Sequence, residues 1–173
     1  MYTWKVRKNL RLQEFDYASS GFYFVTICTK NRENFFWYIK EKQMNCTEIW
    51  MYAEECWNEI PMHFPNSKIH EFVIMPNHIH WIIEIDNTYP ENVFVGNENF
   101  RSLHVDGWKS LSSIIKWFKI GVTKKSHTSW TIDFAWQKSF YDVIIWSEEQ
   151  LNNTRKYIQE NPLLWENDIN FHK

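Results

Sequence analysis

Apolar positions along this chain follow two periods, and the switch between them marks the elements. Phe22-Tyr-Phe-Val-Thr-Ile-Cys-Thr29 is dense in aromatic and β-branched residues and predicts a strand, closed by Lys30-Asn31-Arg32. From about Asn45 to Ile60 the period lengthens. Ile49, Ala53, Cys56 and Ile60 form one stripe behind Thr47, a plausible N-cap, which predicts a helix. Phe64-Pro65-Asn66 is a turn, and Lys68–Met75 and His78–Ile85 then predict two strands flanking Pro76-Asn77. The polar stretch over 87–109, with Pro90, Gly96 and Gly107, predicts a loop or short hairpin. Ser110 or Ser112 opens a second helix to about Thr123, its apolar side being Leu111, Ile114, Ile115, Phe118 and Val122. Phe140–Ile145 is a short strand. Ser147-Glu148-Glu149-Gln150 is a capping box, and the helix it starts should reach Asn161, since Pro162 cannot continue it comfortably. Strand, helix, strand, strand, helix, strand, helix predicts α+β: an antiparallel sheet with helices against one face.

Composition narrows the class. The chain has 173 residues, 44% hydrophobic and 23% charged, which suits a single domain over 1–173 with its own core. Three cysteines without C-x-x-C spacing fit a reducing cytoplasm. No signal-like apolar region opens the chain, and no apolar run approaches the ~18 residues of a membrane span, so a soluble protein with no membrane partner is expected. The net charge of −2 argues against a generic nucleic-acid coat, but its distribution is uneven. The arm over 1–20 opens with Lys5, Arg7, Lys8 and Arg11. Residues 109–125 carry Lys109, Lys116, Lys119, Lys124 and Lys125 and no acid. Taken alone, each cluster reads equally well as a solvated face.

The chemistry concentrates at His78-Ile79-His80. On a strand, residues two apart share a face, so both imidazoles project together from an otherwise apolar run and form a candidate pair of divalent-metal ligands. A second constellation lies on the last helix, where Tyr157 and Asn161 are one turn apart. An amide oxygen is a hard ligand suited to Mg²⁺ or Mn²⁺, and a phenol can act as a covalent nucleophile. On spacing alone the two residues also read as a half-buried helix aromatic and a C-terminal cap. Glu84, on the same strand face, leaves open a cupin-like His78/His80/Glu84 site, although the chain lacks the glycine punctuation of a jelly roll. Ile82, where a third histidine would stand, disfavours a histidine-triad hydrolase. His63, His70, His104, His127 and His172 show no ligand spacing.

Five ordered blocks carry a resemblance: Phe22–Arg32, Phe72–His80, Ser110–Ile115, Trp136–Asp142 and Tyr157–Pro162. From about Arg7 onward the chain resembles the IS200-like single-tyrosine transposases, in the branch associated with repeated extragenic palindromes (REP). The resemblance implies a ferredoxin-like HUH endonuclease fold, with His78 and His80 as metal ligands, Asn161 as the third ligand and Tyr157 as nucleophile. Tyr141 is the competing tyrosine and ranks second. It further implies a Mg²⁺ or Mn²⁺ cofactor and hairpin-bearing single-stranded DNA as partner. Strand cleavage would leave a 5′-phosphotyrosine, and either a monomer or a homodimer is consistent. Arg7, Lys8, Arg11, Lys116, Lys119, Lys124 and Lys125 become candidate DNA contacts. A domesticated module that binds hairpins without cutting is the non-enzymatic reading.

One departure from the resemblance stands out. The chain has eleven tryptophans and four glycines, and Trp37, Trp50, Trp81 and Trp117 fall where the family pattern suggests glycine. A gene using UGA for glycine, translated with UGA as tryptophan, would give this pattern. Crowded packing around Trp81 is the structural expectation of that idea.

Overall fold

The computed structural model describes residues 15–41, 43–87, 110–129 and 131–167. The basic positions Arg7, Lys8 and Arg11 and the predicted loop beyond Asn87 lie outside them. Strands β1 (Gly21–Cys28), β2 (Trp37–Lys40) and β3 (Gln43–Cys46) precede helix α1 (Glu48–His63). Strands β4 (Ser67–Ile74) and β5 (His78–Ile85), helix α2 (Leu111–Thr128), strand β6 (Tyr141–Ile145) and helix α3 (Glu148–Glu160) follow, and a 3₁₀ segment covers Asn161–Asn167. The main sheet is antiparallel throughout, in the order β4-β5-β1-β6. This is the expected α+β class.

Strand alternation divides the protein into two cores. Tyr23, Val25 and Ile27 of β1 and Ile79, Trp81, Ile83 and Ile85 of β5 face α1 and α2, and this side holds the main core. Phe24, Ile82 and Ile145 face the other way, against Leu151 and Ile158 of α3. Two helices therefore cover one face, and the third lies across the opposite face, where the even-numbered residues of β5 emerge. The expectation of all helices on one face is corrected, because the apolar stripe of α3 finds its partners in Phe24, Ile82 and Ile145. His78 and His80 are among those residues.

The helix starts follow the capping chemistry. Thr47, Ser110 and Ser147 each accept the backbone N–H three residues on, at 3.3, 3.4 and 3.1 Å. Two helices outrun their sequence estimates, α1 reaching His63 with Pro61 in its last turn and α2 reaching Thr128. The β2–β3 ribbon was not anticipated. Its strands are four residues each and almost wholly exposed, so hydrophobic alternation gives little signal.

The four questioned tryptophans are housed without displacement of the fold. Trp37 donates its indole N–H to Ile74 O at 2.8 Å, tying the ribbon to β4. Trp50 is half-buried, and Trp117 lies against the His63 ring with centroids 4.4 Å apart. Trp81 is fully buried, stacked on Trp57 at 4.9 Å and meeting Phe118 edge-on at 4.8 Å. These are ordinary aromatic spacings rather than overpacking. Its indole N–H has no hydrogen-bond partner among the described residues, a cost of about 1–3 kcal/mol.

Candidate active site

The site is assembled by register. Antiparallel pairing places Thr26 opposite His80 and Cys28 opposite His78 on β1 and β5. The two imidazoles are almost completely buried, with ring centroids 4.5 Å apart and Nε2 atoms 2.9 Å apart. Each Nδ1 is engaged on its far side: His78 with Asn77 Oδ1 at 2.9 Å, and His80 with Thr26 Oγ1 at 2.8 Å. Burial, then the neighbouring His80, then the Arg32 guanidinium hold the His78 imidazole well below the ordinary range, so the ring is neutral at physiological pH. Phe24 stacks on the His80 ring at 5.2 Å, and Trp165 leans over His78 at 5.9 Å.

Helix α3 brings the phenol. Tyr157 Oη lies 3.4 Å from His80 Nε2, and the ring meets Phe24 edge-on at 6.0 Å. Asn161 keeps helical backbone angles beyond the end of α3, so it lies one turn further along the face that carries Tyr157, and it is buried. The helix is fixed by Leu151 and Ile158 in the smaller core and by Arg155, whose Nε lies 3.2 Å from one Glu71 oxygen and 3.1 Å from the other.

Two imidazole nitrogens and an amide oxygen are a borderline-to-hard donor set. Nitrogens at neighbouring corners of an octahedral ion with ~2.1 Å bonds lie about 3.0 Å apart, close to the observed spacing. No group of three or more His, Cys, Asp or Glu side chains suited to a metal occurs among the described residues. Glu84 is not at the pair. Its oxygens lie 3.1 Å from Lys68 Nζ and 3.1 Å from His70 Nε2, which removes the basis for a His78/His80/Glu84 site. Tyr141 is on the same sheet face but on edge strand β6, opposite Thr26, so β1 separates it from His80.

The α2 lysines are used unequally. Lys119 donates to Gln137 O at 2.8 Å and Ser139 O at 3.0 Å, and burial pulls its ammonium down to about 8. Lys125 pairs with Glu55 at 2.7 Å, whereas Lys116 and Lys124 are exposed. Sequence reasoning missed Phe24, Thr26, Asn77 and Trp165. Phe24 and Thr26 were accessible, since alternation puts them on one face of β1; their placement at His80 needs the register.

An uncharacterized protein of Haemophilus influenzae (strain ATCC 51907 / DSM 11121 / KW20 / Rd) is 40% identical over 164 residues, covering 94% of this chain and 91% of that protein. The chain belongs to that protein's family. No protein-family model matches the chain. Among solved structures, a REP-associated tyrosine transposase bound to a REP hairpin superimposes with a TM-score of 0.51 and 18% identity, covering 88% of this chain and 73% of that one. The chain thus shares its fold with that REP-associated tyrosine transposase.

Proposed function

We propose that this chain is a metal-dependent DNA transposase that cuts and rejoins single strands next to hairpin sequences, with Tyr157 as nucleophile. The observation that carries the reading is the phenol of Tyr157 set 3.4 Å from His80 Nε2 in a buried imidazole pair. The fold neighbour's own ligand is a REP hairpin, which supports the same ligand class here.

The reaction balances without an external energy source. Tyr157 Oη gives up its proton and bonds to phosphorus while the bond from phosphorus to the 3′ oxygen breaks. That oxygen leaves as a 3′-hydroxyl after taking a proton, and the 5′ side stays esterified to Tyr157. Attack by a 3′-hydroxyl on this ester reverses the step and joins strands. A free phenol has a pKa of about 10, so the site must favour its ionised form. His78, His80 and Asn161 would hold a Mg²⁺ or Mn²⁺ ion, which supplies Lewis-acid polarisation of the phosphate and offsets developing charge. Phe24 meets the phenol ring edge-on and helps fix its orientation. Lys116 and Lys124, with Arg7, Lys8 and Arg11 of the arm, are the proposed phosphate contacts; Lys119 and Lys125 contribute field rather than free donors.

A gel assay on end-labelled, hairpin-bearing single-stranded DNA tests this. Cleavage should require added Mg²⁺ or Mn²⁺, stop with chelator, and disappear in His80→Ala and Tyr157→Phe. Hairpin binding without cleavage under every metal condition would instead identify a non-cleaving DNA-binding module.

A further inference from the structure

The hydrogen bonds around the histidine pair have a direction, and one residue sets it. Asn77 is fully buried at the entrance of β5. Its Nδ2 donates to Arg32 O at 3.1 Å, and its Oδ1 faces His78 Nδ1 at 2.9 Å. A backbone carbonyl can only accept, so turning the amide over would set two oxygens against each other. The amide orientation is therefore determined, and Oδ1, also only an acceptor, requires the hydrogen of neutral His78 to sit on Nδ1. His78 Nε2 is left with its lone pair directed at His80. The Arg32 carbonyl is itself held in place. Asn31 and Arg32 take left-handed backbone angles (φ 55° and 56°), and Thr29 closes the turn onto Glu33 O at 2.7 Å and Asn77 O at 3.0 Å.

From these contacts we infer that Asn77 is a positioning residue that locks His78 in the Nδ1–H form, so that its Nε2 keeps the lone pair that a cation would take up. His80 differs, because its Nδ1 lies 2.8 Å from the Thr26 hydroxyl, a group that can either donate or accept. That hydroxyl can change role by rotation about one bond; a tethered amide cannot. The site thus has one fixed end and one adjustable end. The part concerning a cation rests on the metal-dependent reading above, whereas the tautomer assignment does not.

Long-range ¹H–¹⁵N correlation spectra of the histidine rings, recorded in chelator, test the assignment directly. Wild type should show Nδ1–H for His78. Asn77→Ala should lose that preference. Mn²⁺ affinity, read by electron paramagnetic resonance, should fall by ~10–100-fold in Asn77→Ala. A wild-type His78 carrying its hydrogen on Nε2 overturns the inference, and that spectrum needs no variant to fold. An Asn77→Ala protein with unchanged tautomer and unchanged Mn²⁺ affinity overturns it as well. An Nδ1–H His78 in a wild type that takes up no Mn²⁺ would uphold the lock on His78 and contradict the metal-dependent function instead.

Discussion

His78 shows what burial asks of a single residue. The unfolded chain takes up a proton on this imidazole at its ordinary value of 6.5, and the folded chain resists it. The stability tied to neutral His78 is therefore complete above about pH 6.5 and is lost as pH falls toward the depressed folded value, by up to about 1.4 kcal/mol per pH unit. Urea unfolding in chelator between pH 7.5 and 5 should show this slope, and His78→Gln should flatten it; equal slopes would place the proton elsewhere. Much of this residue was legible in the sequence, because H-x-H spacing on a strand dictates a shared face. The partners of the pair were not. Thr26 and Asn77 are common polar residues, and only the β1–β5 register and the amide geometry give them their roles.

At the scale of elements, two contacts decide where the helices sit. Helices α1 and α2 cross so closely at Gly121 that a Cβ there would stand 3.0 Å from Cys56 Sγ. Gly121→Leu should lower stability by about 1–3 kcal/mol through overpacking, and Cys56→Ala in that background should restore part of it. Thermal unfolding of the four proteins in the cycle measures this, and strict additivity would mean that the two residues do not share the contact. Helix α3 depends on the Arg155–Glu71 pair across the sheet. Both groups are partly solvated, so Glu71→Gln should cost no more than about 1 kcal/mol of stability. It should nonetheless slow DNA cleavage by ~10-fold or more, since a small shift of the helix misplaces the phenol. Unchanged single-turnover rates would show that apolar packing alone positions α3. Capping serines and apolar stripes made these helices readable from sequence. The face that α3 occupies was not readable, because a capped amphipathic helix packs equally well on either side of a sheet. The exposed ribbon escaped for want of any buried period.

For the molecule as a whole, the order of elements was sufficient to predict an antiparallel α+β sheet, and the histidine strand lies at its centre. Its significance comes from distance in sequence: Tyr157 lies 77 residues beyond His80, yet the two meet because α3 crosses the face from which the imidazoles emerge. Uneven charge should also show at this scale. If the exposed lysines of α2 and the N-terminal arm track a DNA backbone, hairpin affinity will fall with salt, and Lys116→Ala/Lys124→Ala will reduce the slope of log K against log [salt] by about 1.4, for two phosphate contacts to a single strand. An unchanged slope would remove α2 from the interface. On the proposed function Tyr157 becomes joined to DNA. Peptide mapping by mass spectrometry after reaction with hairpin-bearing single-stranded DNA and Mn²⁺ measures this directly. The expected result is a nucleotide adduct on the peptide carrying Tyr157, absent in Tyr157→Phe. An adduct on Tyr141, or one that persists in Tyr157→Phe, would contradict it.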